Sequence, residues 1–146
     1  MVTIPMWLTV LAWSITGIGL LCAVMILIDI YVGGYRQPMK SWEAVWPITA
    51  IYAGPLALIA YYRWGRPATS KWRQQHGTPP QFGLNTTAAV ETIPGGAASF
   101  VGHLIAVPIV VATGVTIAGK GVWPMILLIA AFALPLLIAF EYRSLT

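Results

Sequence analysis

Three ionisable residues stand inside or beside long apolar stretches of this chain: His103, Glu91 and Asp29. Ionisable groups within a membrane are costly and often mark ion or proton pathways. His103 could carry a proton, and Glu91, which precedes it in the sequence, could pair with it. Asp29, near the end of the first apolar run, could form an ion or proton site in an outer vestibule.

The same residues also have structural interpretations. His103 could be a neutral imidazole hydrogen-bonded across helices, and Asp29 could form an interfacial salt bridge with Arg36 or Lys40. The chain has one cysteine and no CxxC or HxxxH spacing, so we predict no metal site. We also expect no cofactor and no catalytic residue, because the sequence shows no nucleophile beside a base and no phosphate loop.

The composition indicates which elements would position these residues. Hydrophobic residues make up 58% of the 146 residues and charged residues only 8%, which leaves too little polar surface for a soluble domain of this size. Four runs are long enough to span a bilayer, at about 7–31, 41–62, 97–117 and 122–140. We therefore predict an all-α integral membrane protein, a single domain over residues 1–146 with four transmembrane helices in two hairpins.

The third apolar run contains a predicted break. Residues 86–117 would extend about 48 Å as one helix, against a hydrocarbon core of roughly 30 Å. The stretch includes Pro94-Gly95-Gly96; proline lacks the amide donor, and paired glycines weaken a helix. The pattern predicts a short helix near 86–93, a break at these three residues and a spanning helix from about Ala97.

The positions of the Lys and Arg residues indicate an orientation. In a four-span topology five of the eight fall on the side of the N-terminus, so both termini are predicted to be cytoplasmic in a bacterial inner membrane. Four of these five form a basic loop, which consists of Arg63, Arg66, Lys71 and Arg73. A basic loop with interleaved tryptophans is typical of contact with anionic lipid and needs no nucleic-acid partner.

Small residues recur at four-residue spacing within the predicted helices. They are Gly19 and Ala23, Ala50 and Gly54, and Ala98, Gly102 and Ala106. Such spacing lets two helices approach closely. It predicts a tightly packed bundle and does not point to a catalytic or binding function.

The two halves of the chain are similar to each other. The second and fourth runs both open with Val-Trp-Pro, and both carry Pro-Leu eight residues before a closing arginine, at Pro55 and Pro135. Residues 19–26 and 102–109 share the pattern G-x-L-x-A-V-x-I. We infer a tandem duplication of a helical hairpin, which would form a parallel repeat about an axis along the membrane normal.

Residues 29–66, DIYVGGYRQPMKSWEAVWPITAIYAGPLALIAYYRWGR, resemble the signature of a bacterial family of small four-helix membrane proteins, the domain of unknown function 4396. The elements Q-P-M, V-W-P-I-T-A-x-Y and G-P-L carry the resemblance. It implies a four-helix bundle whose third helix opens with a metal-binding segment, H-C-G-x-G-C followed by G-D. This chain has residues 94–99, PGGAAS, in its place and Gly102-His103 in place of G-D, so the resemblance implies a variant without those metal ligands.

Two functions of different classes fit these features. The preferred one is a structural or accessory subunit packed against a larger membrane complex, because few charges lie within the predicted spans. The alternative is an oligomeric transporter or channel for ions, protons or small solutes, with His103, Glu91 and Asp29 along its pathway. The expected partners are membrane lipids and either another membrane protein or further copies of this chain.

Overall fold

A computed structural model describes residues 3–79 and 81–145, with side chains as far as Tyr142. These residues are largely helical and contain no β-strand. The α-helices are α1 (Met6–Tyr31), α2 (Lys40–Ala53), α3 (Pro55–Ala60), α4 (Ser70–His76), α5 (Leu84–Glu91), α6 (Ile93–Thr113) and α7 (Val122–Leu145). The chain divides into an N-terminal unit, Met1–Gln81, and a C-terminal unit, Phe82–Thr146.

Three helical stretches are long and apolar enough to cross a membrane. They are Met6–Tyr31, Leu84–Thr113 and Val122–Tyr142, with 26, 30 and 21 residues. Their length and composition indicate a membrane protein, as the sequence predicted. The remaining predicted span, at 41–62, has a different structure.

α1 is buried along only one half of its length. Its buried side is a single face in the C-terminal half, formed by Gly19, Cys22, Ala23, Ile26 and Ile30. The spacing of three and four residues is that of one helix face. Large apolar side chains of the N-terminal half, such as Trp7 and Trp13, are exposed. The rest of the N-terminal unit therefore covers the second half of α1.

The segment 41–62 reverses direction instead of continuing as one straight helix. α2 ends at Ala53, and the next residue, Gly54, has a φ of 58° and a ψ of −128°. Glycine adopts this conformation far more readily than other residues. A β-carbon added to Gly65 would lie 2.7 Å from the indole of Trp46. A straight helix from residue 46 to residue 65 would separate them by about 28 Å. α2 and α3 therefore form a helical hairpin against α1.

A short irregular segment completes this hairpin. A π-helical turn, Tyr61–Gly65, and a 3-10 turn, Arg66–Ala68, follow α3. Thr69 then begins α4, since its Oγ1 accepts a hydrogen bond from the Trp72 amide at 3.4 Å, as an N-cap residue does. The chain thus returns to the end of α1 where α2 began.

The interruption in the third apolar run lies at Thr92, two residues before the position predicted. α5 ends at Glu91, and α6 begins at Ile93, so the residues 94–96 belong to the first turn of α6. Proline is well tolerated there, because the first turn of a helix needs no amide donor. α6 ends at Thr113, before Gly114 with a φ of 63°, and is thus shorter at this end than predicted.

α6 and α7 form the core of the C-terminal unit. The buried residues of α6 are mostly small and comprise Pro94, Ala97, Ala98, Gly102, Ala106 and Val110. A β-carbon at Gly102 would lie 2.9 Å from both the Ile129 carbonyl oxygen and the Ala133 β-carbon. The two helices therefore approach each other closely at this glycine.

Candidate functional site

The two acidic side chains of the N-terminal unit and their partners lie at the C-terminal end of α1. Tyr61 donates a hydrogen bond from its hydroxyl to Asp29 Oδ2 at 2.6 Å. Arg66 Nη2 lies 3.3 Å from the other carboxylate oxygen, Oδ1. The Asp29 side chain is only 12% exposed, and Tyr61 is fully buried. The reversal at Gly54 makes this site, because it returns Tyr61 and Arg66 to the level of Asp29.

Two tyrosine rings make cation–π contacts with the Arg66 guanidinium. The Arg66 guanidinium carbon lies 4.0 Å from the ring centroid of Tyr35 and 5.3 Å from that of Tyr62. Tyr35 is buried, and its hydroxyl donates to Gln75 Oε1 at 3.3 Å. Cation–π contacts of this kind stabilise a partly desolvated guanidinium. Asp29 and Arg66 therefore form an ion pair with no net charge.

A second ion pair lies next to the first. Arg36 binds Glu43 through two hydrogen bonds, Nε to Oε1 at 2.6 Å and Nη2 to Oε2 at 3.0 Å, which is the bidentate arrangement. Tyr31 also donates its hydroxyl to Glu43 Oε2, at 3.3 Å. The hydrogen bonds with Glu43 raise the pKa of Arg36 above its ordinary value.

Asp29 thus takes part in a salt bridge with a partner other than those predicted. The sequence suggested Arg36 or Lys40, but Arg36 is bound to Glu43 and Asp29 is bound to Arg66. A straight span at 41–62 would place Asp29 and Arg66 at opposite ends of the membrane, so this pair was missed. The available signal was Gly54-Pro55, since Gly-Pro is a dipeptide that marks turns.

The remaining cations of these segments are exposed. They are Lys40, Arg63, Lys71 and Arg73, and none has an acidic partner among the residues that the structure describes. Lys71 donates from Nζ to the Gly33 carbonyl oxygen, and its Nζ lies 4.7 Å from the Tyr35 ring centroid. We call the six cations at this end of α1 the basic cap, which consists of Arg36, Lys40, Arg63, Arg66, Lys71 and Arg73.

A shallow groove adjoins the basic cap. It has a volume of about 360 Å³. Its lining consists of Met25, Ile28, Asp29, Val32, Gly33 and Tyr62. Most of this lining is apolar, and Asp29 is its one acidic residue. Three lining residues contact the cap: Gly33 accepts from Lys71, Tyr62 lies beside Arg66, and Asp29 forms an ion pair with Arg66.

The C-terminal unit does not bring His103 and Glu91 together. His103 is exposed on α6, where its Nδ1 lies 2.7 Å from the Ser99 carbonyl oxygen. Glu91 is exposed at the end of α5. Over the described ranges, 3–79 and 81–145, no ion pair joins them, and no group of three His, Cys, Asp or Glu side chains could hold a metal.

The contact with Ser99 assigns the tautomer of a neutral His103. A carbonyl oxygen only accepts hydrogen bonds, so Nδ1 carries the proton and Nε2 is left as an acceptor. The neighbouring Leu104 is 57% exposed and Val111 is 73% exposed. His103 therefore presents a polar atom from an apolar surface of α6.

The small residues predicted for helix packing have two different roles. Gly19 lies against the backbone of α2, and a β-carbon there would be 3.0 Å from the Ala50 carbonyl oxygen and closer still to that of Ile51. The other packing residues that are buried are Ala23, Ala50, Ala98, Gly102 and Ala106. Gly54, in contrast, forms the turn between α2 and α3.

Comparisons of this chain with protein-family models, with curated proteins and with solved structures found no match. We therefore infer its function from its own residues and their geometry.

Proposed function

We propose that this chain is a structural or accessory subunit of a larger assembly in a bacterial inner membrane. The observation that carries the proposal is the position of His103 on an exposed, apolar part of α6. An acceptor nitrogen that faces hydrocarbon without a donor is unfavourable by roughly 1–3 kcal/mol. A hydroxyl or amide donor from a neighbouring membrane helix would satisfy it.

The charges of the N-terminal unit support the same function. Both acids of this unit are paired internally, Asp29 with Arg66 and Glu43 with Arg36. Both pairs lie at the C-terminal end of α1. Internal pairing of this kind stabilises a fold and does not by itself conduct ions.

This proposal includes a membrane arrangement with three spans and a re-entrant hairpin. α1, α5–α6 and α7 cross the membrane, and α2–α3 enters and leaves on one face, in place of the fourth predicted span. The duplication itself remains part of the proposal, supported by the aligned residues Gly19 and Gly102, which are both points of close approach to a second helix. Its parallel arrangement depended on four spans and is not retained. Membership of the family that residues 29–66 resemble is likewise a proposal.

The alternative function is an oligomeric transporter or channel. One observation favours it: Asp29 lines a groove that is open at the surface of the N-terminal unit. In a homo-oligomer such grooves could face a common pathway, with Asp29 as the ion or proton group. The Asp29–Arg66 pair would then have to open during transport.

Purification from the native membrane in nanodiscs, followed by native mass spectrometry, separates the two functions. We expect another membrane protein to co-purify in a fixed ratio, and His103→Leu to weaken its retention about tenfold, because a buried hydrogen bond is lost. The matched control is His76→Leu, which changes the other histidine of the chain, exposed at the end of α4. This variant should retain the partner as the wild-type protein does.

Two results would decide against the accessory function. One is a pure homo-oligomer that conducts protons in liposomes and loses conduction with Asp29→Asn. The other is a chain that purifies as a monomer with no second protein in a fixed ratio. A partner that stays bound equally well to the His103→Leu and wild-type proteins would decide only against His103 as its contact.

A further inference from the structure

We propose that the basic cap and the adjoining groove form a binding site for one anionic phospholipid. The phosphate would lie between Lys71 and Arg66, and an acyl chain would occupy the groove beside Met25 and Ile28. The site is formed by two segments, around residues 33–40 and 63–76, that a straight second span would have kept apart.

The distribution of charge supports an anionic ligand. The N-terminal unit contains six Lys and Arg residues against two acids, and the C-terminal unit contains two against two, so the first unit carries the whole net charge of +4. Two of the six cations are neutralised by Asp29 and Glu43. The four that are left attract anions at one end of the unit.

The contacts of Lys71 and Arg66 place this charge at the mouth of the groove. Lys71 binds the carbonyl oxygen of Gly33 and Arg66 stacks near Tyr62, and both of these partners line the groove. Only one nitrogen of the Arg66 guanidinium, Nη2, contacts Asp29 in the ion pair, at 3.3 Å. A phosphate oxygen in this position would be bound by Lys71, which has no acidic partner among the described residues, and by the part of the Arg66 guanidinium that does not contact Asp29.

The groove distinguishes a phospholipid from a soluble anion. Its apolar lining comes largely from α1, a helix long and apolar enough to cross a membrane. Trp42, Trp64 and Trp72 lie within two residues of a cap residue in the sequence, and tryptophan is enriched at the headgroup level of bilayers. A ligand with an anionic head and an apolar tail fits both parts of the site.

The cap also implies an orientation for α1. Basic residues concentrate on the cytoplasmic side of inner-membrane proteins, so the C-terminal end of α1 faces the cytoplasm. α1 then has its N-terminal end on the outer side, the reverse of the sequence prediction. Three spans leave the end of α7 on the cytoplasmic side, as predicted. Seven cations are then cytoplasmic, and only Lys120 is outside.

Native mass spectrometry of the full chain in detergent tests the lipid site. Dioleoyl phosphatidylglycerol and dioleoyl phosphatidylcholine would be titrated separately, so that the two probes differ only in the headgroup. We expect a one-to-one adduct with at least about tenfold preference for phosphatidylglycerol, as expected for Lys71 together with the other unpaired cations of the basic cap. Lys71→Gln should weaken that adduct about fivefold, while Lys71→Arg should restore it.

Lys120→Gln is the control, because it removes one charge from the C-terminal unit and should leave the adduct unchanged. Inorganic phosphate should displace the phosphatidylglycerol only at a great excess, since it cannot occupy the groove. Equal binding of the two lipids would overturn the proposal, as would equal effects of the two glutamine variants. Displacement by stoichiometric phosphate would show a site for a free anion only.

Discussion

The two units pair a long apolar helix with a second helix that carries a Pro-Leu sequence, but they differ at the residue before the proline. In the N-terminal unit this residue is Gly54, and the chain reverses there into α3. In the C-terminal unit it is Leu134, and α7 continues through Pro135 without interruption. A proline alone therefore does not reverse a helix in this chain. The reversal requires a residue that tolerates a positive φ.

This difference determines whether the ionisable side chains of each unit are brought into contact. The reversal returns Arg66 and Tyr61 to Asp29, and the N-terminal unit acquires a paired network with an excess of cations around it. The continuous α7 has no such effect, and His103 and Glu91 remain apart on the surface of the C-terminal unit. One glycine thus separates a unit with a polar site from a unit with apolar packing.

The largest expected effect comes from the glycine at the helix contact in each unit. A β-carbon at Gly19 would meet backbone atoms of α2, which cannot rotate away, so Gly19→Ala should lower the free energy of unfolding by about 3 kcal/mol. The β-carbon added in Gly102→Ala would lie 2.9 Å from the Ala133 β-carbon and from the Ile129 carbonyl oxygen. Since the Ala133 side chain can shift, this variant should lower the free energy of unfolding by about 2 kcal/mol. Thermal unfolding in detergent would measure both.

The matched control for these variants is Gly17→Ala. Gly17 lies on α1 with no atom within 4 Å of its would-be β-carbon, so this change should be neutral or stabilising by up to about 1 kcal/mol. An equal loss of stability in Gly17→Ala and Gly19→Ala would show that α2 does not approach α1 at Gly19.

The next largest effect tests the reversal itself. Gly54→Ala places a side chain at a φ of 58° and a ψ of −128°, and should lower the free energy of unfolding by about 2 kcal/mol. The complementary change, Leu134→Gly, should cost about 1 kcal/mol of helix propensity in α7. Denaturant unfolding would measure the loss of stability in both variants. A Gly54→Ala protein as stable as wild type would contradict the reversal of the chain at Gly54.

A smaller effect is expected within the polar network. Tyr61→Phe removes the hydrogen bond of 2.6 Å to Asp29 and should lower the free energy of unfolding by about 1.5 kcal/mol, as for a bond to a charged group. Tyr62→Phe, at the neighbouring and more exposed position, is the control and should change it by less than about 0.5 kcal/mol. Comparable losses in the two variants would mean that Tyr61 does not bind Asp29 in the membrane.

The sequence predicted those features that depend on composition and on local spacing. Three of the four long apolar runs correspond to helices that are long and apolar enough to cross a membrane, because a bilayer requires about 20 apolar residues per helix. The four-residue spacing of small residues singled out Gly19 and Gly102, whose contacts are close. These properties can be recognised without any knowledge of the tertiary structure.

The polar network could not be predicted in the same way. The Asp29–Arg66 pair depends on the backbone angles of one residue, Gly54. The hydrophobic pattern of an apolar run does not show whether the run forms one straight helix or reverses direction. The break in the third run was placed two residues late for a related reason: proline was treated as the end of one helix, although it serves as the beginning of the next. Glycine and proline positions are therefore the weakest point of such a prediction.

Single-cysteine labelling tests the re-entrant hairpin most directly. Cys22 is the only cysteine of the chain and is buried, so a Cys22→Ala protein is a suitable background for Thr3→Cys, Pro38→Cys and Ser70→Cys. All three of these positions are exposed. Each variant would be treated with a membrane-impermeant maleimide in intact cells and again after permeabilisation.

The re-entrant hairpin puts residues 38 and 70 on one side of the membrane and residue 3 on the other. We expect Thr3→Cys to react in intact cells, and the other two to react only after permeabilisation. Reaction of Pro38→Cys in intact cells, with Thr3→Cys and Ser70→Cys both protected, would show a straight second span and contradict the reversal at Gly54.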